Sequence, residues 1–380
     1  MNFDFSEEQR LLREMVREFA QKEIKPEVNR LEERGEFPQK ILNKLGKLGI
    51  LGMTTPPHFG GMKTDYLSFV LALEELAKVL PSVAVIVSVH CSLFCYSIFA
   101  FGTQKQKEKY LPPAARGNII GAFALTEPQA GSDATNLKSR SEKKGKTFFL
   151  NGAKSWITTG ADADAVIIMT RKGEAGKKKL NAFIVEKDFP GFSVTKIEEK
   201  MGLHSSPTAE ILLENCRVPE ENLLGEEGMG ARIAFRSLDY SRVGIAAQSV
   251  GICQRALEEA VTYAKQREAF GKKISEFQSI QFMIADMATL LEAARLLTYR
   301  AAELCDRGKS FTKEASMAKL YASEAANRIA YLALQIHGGY GYSKEFFVEQ
   351  LYRDARVLPL YEGTSEIQRL VIARNLLKDE

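Results

Sequence analysis

From Val83 to Phe101 the chain carries no charged residue, and a helix of that length can span a bilayer. Only two surroundings accept such a segment: lipid, or the inside of a protein large enough to enclose a helix on every side. Ser88, His90, Ser92 and Ser97 recur through it and Gly102 ends it. The rest of the chain is compatible with water, with a mean hydropathy of -0.18. A buried core helix is therefore expected, and the remaining sequence has to build its shell. With 380 residues there is chain enough for two or three domains.

The segments around this helix are also helical. Ser6-Glu7-Glu8-Gln9 reads as a capping box, followed by Leu11, Leu12, Met15, Val16, Phe19 and Ala20 at helical spacing. A second helix is predicted from Pro38 to Leu48, stopping at Gly49, and Pro56-Pro57 with Gly60-Gly61 marks a loop. Asp65 can cap a third helix that ends before Pro81, and a short basic helix runs from Thr103 to Pro112-Pro113. Residues 1–120 read as an all-α domain.

The texture changes at Gly121. Short β-rich stretches occur at Phe123 to Thr126, Thr147 to Leu150, Ala165 to Thr170, Ala182 to Val185, Phe192 to Ile197 and Ala209 to Leu213. Turn residues separate them, as at Lys144-Gly145 and Gly173 to Gly176, and Lys177-Lys178-Lys179 reads as a solvated hairpin tip. Residues 121–230 are expected to form a small β-barrel or sandwich. From Ala231 long periodic stretches cover about 231–266, 279–307 and 311–336, and a last helix starts at Thr364 or Ser365. Residues 231–380 read as a four-helix bundle. The fold class is thus multidomain α+β, with the β domain between two helical ones.

Composition removes several function classes. A net charge of +4 with interleaved signs gives no strong field for nucleic acid. Five scattered cysteines without Cys-x-x-Cys, and four scattered histidines, argue against a disulfide framework and a metal site. The opening Met1-Asn2-Phe3-Asp4-Phe5 has no basic or Arg-rich targeting character, so a reduced, soluble compartment is expected.

The chemistry-bearing stretches are individually ambiguous. Tyr361-Glu362-Gly363-Thr364-Ser365-Glu366-Ile367-Gln368 places a carboxylate on a tight turn at a helix start, with Ser365 and Gln368 as a capping box. Such a carboxylate is either a base or an acid answering the helix dipole. Leu125-Thr126-Glu127-Pro128 and Ala130-Gly131-Ser132-Asp133 form either a ligand-hugging loop or a plain strand and turn. Lys154 to Gly160 holds the single Trp beside paired threonines, a platform for an aromatic ring or a strand end. Arg267 to Gly271 and Gln335 to Gly341 suit phosphate, or a helix C-terminus.

Taken in this order, these motifs resemble the acyl-CoA dehydrogenases over essentially the whole chain. Ala318-Lys319-Leu320, Tyr352 to Arg356 and Tyr361 to Ile372 are most similar to the short-chain (butyryl-CoA) branch. The resemblance implies an FAD enzyme that dehydrogenates a short- to medium-chain acyl-CoA at the α and β carbons. It implies Glu362 as catalytic base, and FAD contacts from Phe123, Leu125, Thr126, Gly131, Ser132, Trp156, Ile157, Thr158, Thr364 and Glu366. It further implies FAD binding across a dimer interface by Arg267, Phe270, Gln278, Gln335, Gly338 and Gly339, and acyl-CoA contacts from Ser132, Asp239, Arg242 and Gly363. A homotetramer, electron-transfer flavoprotein as acceptor, and a bacterial cytoplasmic or mitochondrial matrix location belong to the same expectation. No Arg lies between Val83 and His90, where the glutaryl-CoA branch holds a second carboxylate, and Ser241 stands where other branches carry their base. The rival readings are an acyl-CoA oxidase and a non-catalytic flavin-fold protein that binds nucleic acid.

Overall fold

The computed structural model describes residues 4–62, 64–172 and 179–378; the turn expected at Gly173 to Gly176 and most of the lysine tip after it lie outside that range. Helix α1 (Glu7–Phe19) opens on the Ser6/Gln9 capping box and continues through a π turn at Ala20–Ile24. Then come α2 (Val28–Arg34), α3 (Gln39–Lys47) and α4 (Tyr66–Ala77), the last capped by Asp65, whose carboxylate accepts the Ser68 N–H at 2.6 Å. The uncharged segment forms α5 (Pro81–Ser88), a π-helical stretch Val89–Cys95, and α6 (Tyr96–Phe101). It has bilayer length and hydropathy, but 83% of its most apolar 18-residue window is buried inside the protein. Helix α7 (Gln104–Ala115) runs on through Pro112 and Pro113 instead of ending there. The carbonyls those prolines leave without a donor belong to exposed Glu108 and Lys109, where water can satisfy them.

The middle of the chain forms β1 (Gly121–Ala124), β2 (Arg140–Lys144), β3 (Thr147–Thr158), β4 (Ala165–Lys172), β5 (Leu180–Glu186), β6 (Phe192–Ile197), β7 (Thr208–Pro219) and β8 (Leu223–Leu224). They join in one mixed sheet, order β6-β7-β3-β2-β4-β5-β8, with β1 parallel to β4. In a flat sheet β3 and β5 would lie three strand spacings apart, about 14 Å. Yet the rings of Phe148 and Phe183 are 4.9 Å apart, so the sheet curls over a core of its own. Strand β2 is almost wholly charged and has only Ser141 buried, which is why alternation could not reveal it; its backbone pairs with β3.

The bundle consists of α8 (Gly230–Gln266), a short hairpin of β9 (Glu268–Ala269) and β10 (Lys272–Lys273), α9 (Gln278–Asp306), α10 (Thr312–His337), α11 (Phe347–Ala355) and α12 (Ser365–Leu376). Its core is continuous with that of the first helices. Tyr66 donates its hydroxyl to the Tyr240 carbonyl at 2.7 Å, and Glu74 accepts from Arg295 at 3.0 Å and Tyr299 at 2.6 Å. The uncharged segment is thereby enclosed by helices from both ends of the chain.

The π stretch docks the β domain. His90 donates Nε2–H to the Ala114 carbonyl (3.1 Å) and accepts the Gly121 N–H on Nδ1 (3.1 Å). Burial pulls its pKa down to about 4, so it stays neutral. A Cβ on Gly121 would sit 2.0 Å from the Phe94 ring. Gly121→Ala should therefore cost about 1–3 kcal/mol by overpacking; a thermal melt should fall measurably, and an unchanged melting temperature would show that this contact does not hold the two domains.

Candidate functional site

Two groups of residues bear on chemistry. The first surrounds the turn before α12. Glu362 has φ +57° and Gly363 φ +94°, so two successive residues are left-handed. For glutamate that backbone costs of order 1–2 kcal/mol. The turn is held from three sides. The Gly363 carbonyl accepts Lys319 Nζ at 2.8 Å and Gln368 Nε2 at 2.9 Å, while Gln368 also reaches the Glu362 carbonyl at 3.3 Å. The Tyr361 hydroxyl donates to Gln248, whose own amide donates to the Pro81 carbonyl at 3.0 Å.

The capping differs from the expected pattern. Thr364, not Ser365, is the N-cap, its hydroxyl accepting the Ile367 N–H at 3.4 Å. Ser365 N–H donates to the Pro359 carbonyl, and Gln368 turns its amide NH2 toward the turn, so the capping box does not form and the Ser365 hydroxyl and Gln368 Oε1 are left unpartnered.

The carboxylate of Glu362 sits among cations. Arg242 pairs with Asp239 at 2.9 Å, and Thr312 donates to the other Asp239 oxygen at 2.6 Å. Burial raises the Glu362 pKa, opposed by the Ser241 hydroxyl and the charges of Arg242 and Lys319. Ser241 is close enough to favour the charged form, although its hydroxyl does not complete a hydrogen bond. Glu362 Oε2 is buried and has no partner, which leaves a lone pair free to take a proton. The Asp239/Arg242 pair and the Glu362-Gly363 turn, far apart in sequence, thus meet at one place. Ser132 lies on an exposed loop, and Thr364 and Glu366 open α12 beside the turn.

The second group divides between two surfaces. On the β domain, the β3–β7 register slips between Lys154 and Ile157. This bulge turns Trp156 outward with φ +60° and 59% exposure, while Ile157 packs into the sheet core and offers only its backbone. Leu125 and Thr126 lie alongside, through Lys154 Nζ to the Leu125 carbonyl (3.1 Å) and Ser155 N–H to the Thr126 carbonyl (3.0 Å). Phe123 is buried in β1, and Gly131 faces open space.

On the bundle, Tyr263, Arg267, Ile274, His337, Gly338 and Gly339 line a cavity of about 520 Å³. Arg267 lies 5.5 Å from the ring of Tyr340, and both glycines face open space, so their backbone is accessible. Phe270 is left-handed (φ +52°) and 96% exposed. Gln278 and Gln335 are exposed on the same bundle. No described hydrogen bond, ion pair or ring contact links this cavity to the Trp156 surface.

Sequence reasoning passed over the buried pair beneath the Trp156 surface. Lys154 is fully buried and bonds Glu127 at 2.7 Å; Glu127 also accepts the N–H groups of Lys138 (2.6 Å) and Ser139 (3.1 Å). Burial pulls the Lys154 pKa down to about 8 against the pull of Glu127; burial also works to raise Glu127, but Lys154 together with the hydrogen bonds from Ser139 and Lys138 holds it below the usual carboxylate range. The readable signal was a single charged residue, Lys154, in an otherwise uncharged strand. Lys154→Met would strand the Glu127 charge at a cost of about 3–5 kcal/mol. Chemical denaturation should show that loss, and a loss under 1 kcal/mol would mean the pair is not a structural support.

Comparison with known proteins agrees with this layout. The descriptions "Acyl-CoA dehydrogenase, N-terminal domain", "middle domain" and "C-terminal domain" match residues 6–118, 122–216 and 228–377. An acyl-CoA dehydrogenase of Bacillus subtilis is 49% identical over 373 residues, 98% of each chain. The caffeyl-CoA reductase-Etf complex subunit CarC of Acetobacterium woodii is 48% identical, covering 98% of this chain and 99% of its own. The structure of butyryl-CoA dehydrogenase from Megasphaera elsdenii superposes with a TM-score of 0.97 over 100% of both chains at 42% identity.

Proposed function

The chain belongs to the acyl-CoA dehydrogenase family, and from that premise we propose that it converts a short- to medium-chain acyl-CoA into the trans-2-enoyl-CoA with Glu362 as the base. The observation that carries the proposal is the Glu362 carboxylate itself: fixed on a left-handed turn, raised in pKa by burial, and with Oε2 unpartnered. An α-proton of a thioester is weakly acidic, so a base must be held within reach of it and the developing enolate oxygen needs a donor. Among the described residues nothing accepts the Glu362 N–H, and we assign that group to the thioester oxygen. Arg242, with Asp239 and Gly363 beside it, would orient the thioester end of the substrate.

The family's enzymes are FAD flavoproteins, and the residues fit that cofactor. The bulge-held Trp156 offers a flat face for a ring system. Arg267 and the bare backbone of Gly338 and Gly339 offer donors for a diphosphate. Bound FAD supplies the acceptor for the hydride that leaves the β-carbon. Because no described contact links the two surfaces within one chain, the cavity around Arg267 is assigned to the cofactor of a neighbouring copy. Large exposed apolar side chains on the bundle, among them Phe270, Phe282, Leu296, Tyr342 and Leu377, support assembly into a dimer of dimers.

A short chain is supported by the butyryl-CoA dehydrogenase likeness. The absence of Arg from Val83 to His90 disfavours a dicarboxyl substrate. Electron-transfer flavoprotein is the proposed acceptor, supported by the CarC relative named for its Etf complex.

Glu362→Gln keeps the shape of the turn and removes the base. Anaerobic flavin reduction by butyryl-CoA should slow by about 10²–10⁴-fold while acyl-CoA still binds; a near-normal rate would end the assignment. Arg267→Ala should weaken FAD retention and the oligomer together, because each supports the other. Gel filtration and flavin absorbance on the same sample would check this, and a fully flavinated variant of unchanged size would count against shared cofactor binding.

A further inference from the structure

Lys319 is the buried charged group that the proposed reaction leaves unused. It lies on the inner face of α10, among buried Ala315, Ala318 and Ala322, with no exposed surface. A lysine in such a stripe is costly unless something answers its charge. Its one described hydrogen bond goes to the Gly363 carbonyl at 2.8 Å, which is the residue after Glu362. Burial draws its pKa down to about 7, resisted first by Glu362, while Arg242 on α8 draws it lower and Glu324 on its own helix and Glu366 on α12 resist. The same turn already has a neutral clamp in Gln368. A second clamp made from an ammonium therefore does more than hold shape.

We propose that Lys319 is a positioning residue for the proton-abstraction step: its ammonium, hydrogen-bonded to the carbonyl of Gly363, the residue after Glu362, both fixes the left-handed turn and keeps the base ionised. The inference rests on the reading of Glu362 as the base. The step it serves is a proton transfer only. The substrate α-C–H bond breaks, its electron pair stays on carbon, and the proton goes to Glu362. Arg242 is the permanent counter-charge of the carboxylate, since guanidinium does not titrate in this range. Lys319 is the counter-charge that can be lost. Above its pKa the carboxylate faces one cation instead of two, and the turn loses a charge-assisted hydrogen bond.

The sign of the pH effect follows. The reaction needs Glu362 deprotonated, so the rate rises with pH on the acid side. It needs Lys319 protonated, so the rate falls on the alkaline side. The wild-type holoenzyme should give a bell-shaped profile for the rate of flavin reduction by butyryl-CoA. Lys319→Gln keeps a donor for the Gly363 carbonyl and removes the charge. Its alkaline limb should disappear, and its acid limb should move up by about 0.5–1 pH unit, as for a carboxylate losing a nearby cation. Infrared difference titration against Glu362→Gln reads the same carboxyl without turnover, and should shift by the same amount. FAD content and oligomer size of Lys319→Gln should match wild type.

Both limbs and the carboxyl titration unchanged in Lys319→Gln would overturn the proposal. So would a wild-type rate that climbs without a break from pH 6 to pH 9, a result that needs no variant to fold. Glu362→Gln separates this from failure of the underlying reading. A silent Glu362→Gln would remove the base assignment itself, whereas an inactive Glu362→Gln beside an unperturbed Lys319→Gln would remove only the role of Lys319.

Discussion

The enclosure of the uncharged stretch from Pro81 to Phe101 governs the layout of the molecule. A helix apolar all round cannot lie on a surface in water, so neighbours have to come from more than one part of the chain. They come from α4 before it and from α8 after the β domain, and they build one core that ignores the domain succession in sequence. That packing brings Asp239, Ser241 and Arg242, three residues of α8, to the turn before α12. It also fixes the far end of Tyr361, whose partner Gln248 holds the carbonyl of Pro81, the first residue of α5. The position of the base is thus a consequence of how an apolar helix is hidden.

The junctions between domains depend on buried polar groups with every role assigned. Glu32 of α2 accepts from Ser82, from the N–H groups of His204 and Ser205, and from the Ser205 hydroxyl, while Asp354 of α11 accepts the Leu203 N–H at 2.6 Å. The loop between β6 and β7 is pinned by acids from both helical parts. Burial and the nearby Glu32 push the Asp354 pKa up to about 7. His90 does the corresponding work at the other end of the β domain as a neutral ring. Removing one member of such a set leaves an unpaired group, which costs more than the bond was worth. These contacts therefore specify how the domains meet more than they add stability.

What could be read in advance follows physical range. Helices with short-range signals were legible: the Ser6/Gln9 box and the Asp65 cap are where local chemistry puts them. The strands flanked by turns were legible too. The charged β2 was not, because its pairing is backbone only, and the prolines of α7 misled because exposed carbonyls tolerate them. At the candidate site, the motif around Glu362 could be located, but the cap was assigned to Ser365 because nothing local reveals that Gln368 is taken by the turn. The bulge at Trp156 and the roles of Lys154 and Lys319 are long-range facts: each involves a partner at least 27 residues away.

The turn at Glu362 meets two opposing demands on a base. It has to be desolvated enough to bind protons better than a free carboxylate, or it is too weak to attack a carbon acid. It also has to be ionised before substrate arrives. Burial alone meets the first demand and defeats the second. Cations at the correct distance restore the charge, but a direct ion pair would occupy the oxygen that must react. In this structure Arg242 is paired instead to Asp239, and Lys319 to a backbone carbonyl. Both act on the carboxylate through space, where low local dielectric makes such action effective, and Oε2 stays free. The left-handed strain at Glu362 and the anchoring of Gly363 from two helices are what hold that arrangement in place.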